Sequence, residues 1–216
     1  MENLKGLFVT FEGPDGAGKT SQLQLLATFI KQQGYDLVTT REPGGTKISD
    51  KIRSLLLDPN HQELKDQTEI LLYAASRAQL VHELILPALE QGKIVLCDRF
   101  IDASVAYQAF GLQKSREMVE LINKFASSDL TPNRTYLLNL SPEIGRIRLE
   151  QRRNKEFGND LDRIEQKNIE YHQRVYNGFQ QLAKEHLNRI RMVDANQSME
   201  AISKVIQEDF LQLLSK

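Results

Sequence analysis

The sequence predicts an α/β fold in three layers, with five parallel strands in one sheet and helices on both faces. Short, mostly apolar and β-branched segments alternate with long helical patterns along all 216 residues. No repeat, low-complexity tract or linker rich in proline, glycine or serine divides these segments. We therefore expect one domain that spans residues 1–216.

Five segments have the length and composition of strands buried on both faces of a parallel sheet. They are Leu7–Glu12, Asp36–Thr40, Ile94–Asp98, Thr135–Leu140 and Ile190–Asp194. Helical patterns fill the intervals, at Lys19–Gln33, Ile48–Leu57, Asp66 to about Gln91, Asp102–Ala109, Glu117–Ser127, Pro142–Arg153, Asp162–Glu185 and Met199–Leu214. Ligands of such sheets lie beyond the carboxyl ends of the strands, so the loops after the strands should carry the site.

Composition narrows the classes of function. The formal net charge is −1, so no global basic field indicates binding to nucleic acid, and local clusters must hold any anion. Cys97 is the single cysteine, which excludes a disulfide framework and fits a reducing compartment, by default the cytoplasm. Met1–Lys5 is polar, and no apolar run approaches the ~20 residues that cross a bilayer, so no membrane partner is expected.

A glycine-rich loop follows the first predicted strand. Its residues match G-x-x-x-x-G-K-[ST] at every defined position and are Gly13, Pro14, Asp15, Gly16, Ala17, Gly18, Lys19 and Thr20. Glycines let successive N–H groups turn inward, and the positive end of the following helix adds to the attraction for phosphate oxygens. We expect Lys19 to reach the β- and γ-phosphates of ATP and Thr20 to coordinate Mg²⁺. The strand before the loop and the helix after it disfavour the alternative, a chance turn that caps a helix.

Three classes of protein share this loop, namely GTPase switches, nucleic-acid ATPases and kinases of small metabolites. The chain lacks the Asn-Lys-x-Asp that reads guanine, and Asp98-Arg99-Phe100-Ile101 stands where a GTPase has Asp-x-x-Gly. No basic stripe supports a nucleic-acid motor, so a kinase remains. Asp98 can organise the Mg²⁺ shell through water, and Arg99 can hold an acceptor phosphate, although a plain ion pair at a strand end is the alternative.

The chain resembles the thymidylate kinase family over essentially its whole length. The matching stretches are Phe11–Thr20, Thr40–Thr46, Tyr73–Gln79, Asp98–Phe100 with Ser104–Gln108, and Leu161–Glu165. The resemblance implies the fold of P-loop NTPases and a Mg²⁺-dependent enzyme that transfers phosphate from ATP to dTMP in dTTP biosynthesis. It also implies a homodimer that contacts through long helices. The alternatives are a kinase of another nucleoside monophosphate or of a deoxynucleoside, and a nucleotide-binding protein without turnover.

The resemblance also implies roles for the residues of an acceptor pocket. Asp15 is similar to the carboxylate that approaches the sugar 3′-hydroxyl, and its burial would require a hydroxyl or arginine partner. Arg99 resembles the ligand of the acceptor phosphate. Tyr73 and Arg77 lie one helical turn apart and suit a pyrimidine base, by stacking and by hydrogen bonds to its carbonyl. The other pocket positions are Glu42, Pro43, Arg53, Ser104, Tyr107 and Gln108, among which Tyr107 would exclude a ribose 2′-hydroxyl.

A segment at about residues 146–163 is expected to form a small mobile lid over ATP. The basic residues of this stretch are Arg146, Arg148, Arg152, Arg153 and Lys155. Like charges one turn apart, as at Arg148 and Arg152, destabilise a helix unless an anion joins them, although a solvated helix face is the alternative. Gly16 stands where some family members carry a catalytic arginine. The resemblance therefore implies that Arg148, Arg152 or Arg153 supplies that charge to the transferred phosphoryl group.

Overall fold

A parallel sheet of five strands forms the centre of the computed structural model, which describes residues 4–155 and 161–215. The strands are β1 (Leu7–Glu12), β2 (Leu37–Arg41), β3 (Ile94–Asp98), β4 (Arg134–Asn139) and β5 (Ile190–Asp194), in the order β2-β3-β1-β4-β5. Each lies within one residue of its predicted segment, so the parallel sheet predicted from the sequence is confirmed.

Helices connect the strands. They are α1 (Lys19–Gln32), α2 (Lys47–Leu57), α3 (Asp66–Leu80), α4 (Leu86–Glu90), α5 (Ile101–Ser104), α6 (Arg116–Ser127), α7 (Pro142–Lys155), α8 (Ile169–Glu185) and α9 (Met199–Leu214). A π-helical segment, Val81–Ile85, joins α3 to α4, so the long helix predicted from Asp66 is one helical run. A second π-helical segment, Val105–Gly111, continues α5. Within the two described ranges, no helix is both long enough and apolar enough to cross a membrane.

The helix predicted at Asp162–Glu185 begins later than expected. α8 starts at Ile169, and Asn168 caps it by accepting a hydrogen bond from the backbone N–H of Tyr171. The Asp162 side chain instead accepts hydrogen bonds from the backbone N–H groups of Ile164 and Glu165, each at 2.8 Å. Such local bonds compete with a continuous helix, so residues 163–166 form turns and the prediction of a helix from Asp162 was wrong there.

Both faces of the sheet are covered by apolar side chains because successive residues of a strand point to opposite faces. Val9 and Phe11 of β1 belong to a buried cluster that includes residues of α1 and α9. Phe8 of the same strand belongs to a cluster on the other face, with Leu80 and Leu89 of the α3–α4 run. β1 is therefore held at the middle of the sheet, and the loop after it lies at the centre of the carboxyl edge.

Candidate active site

A cavity of about 600 Å³ opens at the carboxyl edge of the sheet. The residues predicted from the sequence that line it are Asp15, Gly16, Gly18, Lys19, Thr20, Glu42, Pro43, Arg53, Tyr73, Arg77, Asp98, Arg99, Ser104, Tyr107, Gln108 and Arg148. Gly13, Pro14 and Ala17 belong to the same glycine-rich loop. The side chains of Arg152 and Arg153 lie outside the described residues.

Two positions of the glycine-rich loop require glycine, both because of their backbone conformation and because a Cβ atom would clash with neighbouring backbone. Gly13 and Gly16 have φ values of 130° and 78°, which L-residues rarely adopt. A Cβ at Gly16 would lie 2.5 Å from the carbonyl oxygen of Gly145 in α7. Lys19 Nζ donates a hydrogen bond to Pro14 O at 2.9 Å, so the loop encloses its own lysine. Burial and the neighbouring Arg99 lower the pKa of Lys19 to about 8.

Thr20 and Asp98 bring a hydroxyl and a carboxylate together at the cavity wall. Thr20 Oγ1, in the first turn of α1, donates to Oδ2 of Asp98, the last residue of β3, at 2.5 Å. This oxygen pair fits Mg²⁺, which prefers oxygen ligands and keeps several waters. No group of three or more His, Cys, Asp or Glu side chains in the described residues could hold a metal ion. Phosphate oxygens and water would have to complete such a shell.

Asp15, Arg99 and Tyr107 form a hydrogen-bonded group between the glycine-rich loop and the turn after β3. Arg99 Nη2 donates to Asp15 Oδ1 at 2.5 Å, and Tyr107 Oη donates to Asp15 Oδ2 at 2.9 Å. Asp15 thus has both kinds of partner that its burial was expected to require. Burial alone would raise the pKa of Asp15, but Arg99 and Lys19 outweigh it and hold that pKa below its usual range. The carboxylate is therefore charged before any ligand binds.

The opposite wall is organised around the buried guanidinium of Arg77, whose side chain is 2% exposed. Its Nε and Nη2 donate to Glu42 Oε2 at 2.8 and 2.6 Å, and Nη2 also donates to Ser104 Oγ at 2.9 Å. Glu42 is buried and is therefore not part of a solvated turn. Pro43 O accepts from Arg53 Nη1 at 2.8 Å, which brings a second arginine to the same wall.

The π-helical segment shapes the same wall. Ser104 ends α5, and Tyr107 and Gln108 follow within the wider turn of Val105–Gly111. These three side chains line the cavity together with Tyr73 of α3. π-Helical turns are rare and often occur at functional sites, where they redirect side chains.

Comparison with known proteins identifies the family. The profile of the thymidylate kinase family matches residues 11–206. The chain belongs to this family. A thymidylate kinase of Exiguobacterium sibiricum is 54% identical over 99% of this chain and 98% of the relative, and one of Oceanobacillus iheyensis is 42% identical over 98% and 91%. The crystal structure of thymidylate kinase from Ehrlichia chaffeensis has a TM-score of 0.77 at 29% identity, covering 95% of this chain and 98% of that chain. The predicted resemblance and fold of P-loop NTPases are therefore confirmed.

Glu12 is a buried residue of this thymidylate kinase family member that the sequence analysis did not single out. Its Oε1 accepts hydrogen bonds from the backbone N–H groups of Phe100 and Ala103, at 2.7 and 3.2 Å. Its Oε2 has no hydrogen-bond partner within the described part of the chain. Burial, followed by the charge of Asp102, raises the pKa of Glu12 to about 8, against the opposing effect of Arg99. The sequence signal that could have identified Glu12 is its place as an acidic residue at the end of an otherwise apolar strand.

Two arginines of the predicted lid, Arg146 and Arg148, lie on the described part of α7. Arg148 Nη2 donates to Ala195 O at 3.1 Å, and its Nη1 lies 3.5 Å from Gly16 O. Arg146 pairs with Glu150 at 3.2 Å on an exposed face of α7, as the alternative of a solvated face predicts.

The C-terminal end of the predicted lid is anchored by a buried ion pair that local sequence did not predict. Arg163 Nη2 donates to Glu69 Oε2 of α3 at 2.7 Å, and both side chains are at most 5% exposed. Arg163 Nε donates to Leu56 O near the end of α2 at 2.8 Å. The segment that carries Asp162 into the cavity wall is thus tied to α2 and α3.

Proposed function

We propose that this member of the thymidylate kinase family transfers the γ-phosphoryl group of ATP to dTMP, giving dTDP. One observation carries the proposal: a phosphate-binding loop and a wall of paired arginines and tyrosines face the same cavity. The names of the curated relatives support the acceptor. The proposal takes the chain as one domain with a lid at about residues 146–163.

The glycine-rich loop, residues 13–20, is proposed to hold the phosphates of ATP. Its inward N–H groups and the N-terminus of α1 favour negative charge, and Lys19 would exchange Pro14 O for phosphate oxygens. Thr20 would ligate Mg²⁺ directly, and Asp98 would hold it through water. The metal, when bound, neutralises charge that develops on the phosphates.

The opposite wall is proposed to hold dTMP. Arg99 and Arg53 would bind its phosphate, because both guanidinium groups line the cavity. Asp15 and Tyr107 would face the deoxyribose, where the tyrosine ring would exclude a 2′-hydroxyl. The base would lie against Tyr73, with its edge read by Arg77, Ser104 and Gln108 and with Glu42 and Pro43 supporting them.

Catalysis in this arrangement would come from positioning and charge rather than from a general base. The acceptor phosphate oxygen would attack the γ-phosphorus in line with the departing ADP. Lys19 and Arg99 would stabilise charge on the transferred group, and Arg148, Arg152 or Arg153 would add a positive charge from the lid.

We also propose that the protein acts in the cytoplasm as a homodimer. Its two subunits would contact each other through α2, α3 and α6. These three helices present large exposed apolar side chains, which are Ile48, Leu55, Leu71, Met118, Leu121 and Phe125. Phe125 is 86% exposed, an unfavourable state for an aromatic ring in water. α3 packs against both α2 and α6, and an exposed apolar patch that extends over adjacent helices is typical of a protein contact.

The test of the activity is ADP release from Mg-ATP in a coupled assay, with dTMP, dUMP, dCMP, dAMP, dGMP, UMP and thymidine offered separately. Turnover with dTMP that is lost in Lys19→Ala supports the proposal. Preference for another acceptor would keep the kinase chemistry and refute the assignment of dTMP. ATP binding without ADP release with any acceptor would indicate a binding protein without turnover.

A further inference from the structure

Asn123 of α6 holds the guanidinium of Arg77 through a nitrogen that Glu42 does not contact. Arg77 Nη1 donates to Asn123 Oδ1 at 2.5 Å, whereas Glu42 accepts from Nε and Nη2. A guanidinium has five N–H donors, and two of them are on Nη1. Among the described residues, Asn123 is the one partner of Nη1, so one Nη1 hydrogen stays available on a side chain that lines the cavity.

The orientation of the Asn123 amide follows from its neighbours. Arginine has no acceptor, so the amide oxygen must face Arg77. The amide nitrogen then lies 3.5 Å from Ile101 O, which accepts from it. Asn123 is 6% exposed, and a buried amide destabilises a protein unless its polar atoms are paired. Both ends are paired here, so an asparagine on the inner face of α6 serves a contact that an apolar residue would not make.

The available Nη1 hydrogen distinguishes between pyrimidines. Thymine presents the O4 acceptor beside its methyl group, whereas cytosine presents an amino donor at the same position. A fixed N–H donor therefore binds the thymine edge and opposes the cytosine edge. Glu42, Ser104 and Phe100 O hold Nε and Nη2 on one side of the planar guanidinium, and Asn123 holds the opposite corner. Without Asn123 the whole group would tilt about its Glu42 side, and the remaining Nη1 hydrogen would turn away from the base.

We propose that Asn123 is a positioning residue that sets acceptor specificity, because it takes one Nη1 hydrogen of Arg77 and directs the other to a base carbonyl. The inference rests on the proposed function, in which Arg77 reads the pyrimidine. Asparagine suits this position better than aspartate, since a second buried carboxylate beside Glu42 would carry an uncompensated charge. Acceptors with a carbonyl at this edge, dTMP and dUMP, are favoured over dCMP through Asn123.

The first experiment compares Asn123→Ala with the wild type in kcat and KM for dTMP and dCMP. Lys124→Ala is the matched control, because Lys124 lies on the same helix with a side chain 65% exposed. The ratio of kcat/KM for dTMP to that for dCMP should fall about tenfold in Asn123→Ala, as expected for one hydrogen bond to a charged group. kcat at saturating dTMP should stay within about threefold, since the phosphates are held elsewhere. An unchanged ratio overturns the proposal, and so does an equal loss with both acceptors.

A second variant and a binding measurement make the result independent of folding and of turnover. Asn123→Leu keeps the shape of the side chain and should lose the same discrimination if Asn123→Ala does not fold. Calorimetry of dTMP and dCMP binding without ATP separates the two proposals. A wild type that prefers dTMP in binding but releases no ADP refutes the proposed activity alone. A wild type without that preference, or variants that keep it, refutes the role of Asn123 whether or not the enzyme turns over.

Discussion

The acceptor wall and the lid side of the cavity differ in how their arginines are held. On the acceptor wall, Arg77 is buried and Arg99 is half-buried, and each has a carboxylate partner at 2.5–2.6 Å. On the lid side, Arg148 contacts backbone carbonyl oxygens alone in the described residues, and Arg146 lies on an exposed face. The first set is compensated within the protein before substrate binds, whereas Arg148 has no carboxylate partner among the described residues and leaves charge for a substrate to neutralise. Substitutions at Arg77, Arg99 or their partners should therefore reduce stability and acceptor binding, whereas substitutions of the lid arginines should reduce kcat.

The largest effect is expected on the lid side. Alanine at one or more of Arg148, Arg152 and Arg153 should lower kcat by about 10³-fold or more, as removal of an arginine finger does. The free energy of unfolding of these variants should change little. Steady-state ADP release and urea denaturation of each variant measure the two quantities. Arg146→Ala is the control, since Arg146 is paired to Glu150 at the surface. If all three variants kept the wild-type kcat, the lid would have no catalytic arginine.

The acceptor wall should show the reverse pattern, a loss of stability. Glu42→Gln removes the charge partner of a guanidinium that is almost fully buried, and breaking such a pair destabilises proteins by about 3–5 kcal/mol. Glu150→Gln breaks an exposed pair on α7 and should change stability by less than about 1 kcal/mol. Urea denaturation of the two variants measures the contrast. Equal losses of stability in the two variants would mean that the buried Arg77–Glu42 pair does not stabilise the acceptor wall more than an exposed pair does.

Glu12 should make stability depend on pH. Its pKa in the folded protein is about 8, above the value of 4.5 for a free side chain. The folded state therefore holds a proton that the unfolded state has released. The resulting stabilisation is fully present below pH 4.5 and is lost as the pH rises to 8, by at most about 1.4 kcal/mol for each pH unit.

Glu12→Gln tests this dependence, because the neutral amide keeps an oxygen for Phe100 and Ala103. The variant should gain stability relative to the wild type as the pH rises from 5 to 8. Urea denaturation at each pH measures the gain, with Glu143→Gln on the exposed side of α7 as the control. Parallel pH profiles for wild type and Glu12→Gln would show that Glu12 keeps an ordinary acidity in the fold.

Local sequence predicted the strands and the glycine-rich loop, and it did not predict the contacts that join them. The loop motif is continuous in sequence, so its position after β1 followed directly from the pattern. Glu12 depends on partners 88 and 91 residues away, Asn123 on one 46 residues away, and the Arg163–Glu69 pair spans 94 residues. Periodicity carries no information on such pairings. The start of α8 was missed because the turn at Asp162 is stabilised by side-chain bonds.

The smallest effect is expected where the acceptor wall reaches the outer surface. α6 carries Asn123 on its inner face and Phe125 on its exposed face, so a partner subunit there would restrain the helix that positions Arg77. Phe125→Glu adds a charge to the proposed contact and should shift the protein to monomer in analytical ultracentrifugation. Its KM for dTMP should then rise about two- to threefold, within the small changes expected when a neighbouring helix loosens. Lys124→Ala is again the control on the same helix. A Phe125→Glu variant that stays dimeric would place the dimer contact on another surface, and a monomer with unchanged KM would show that α6 needs no partner to hold Asn123 in place.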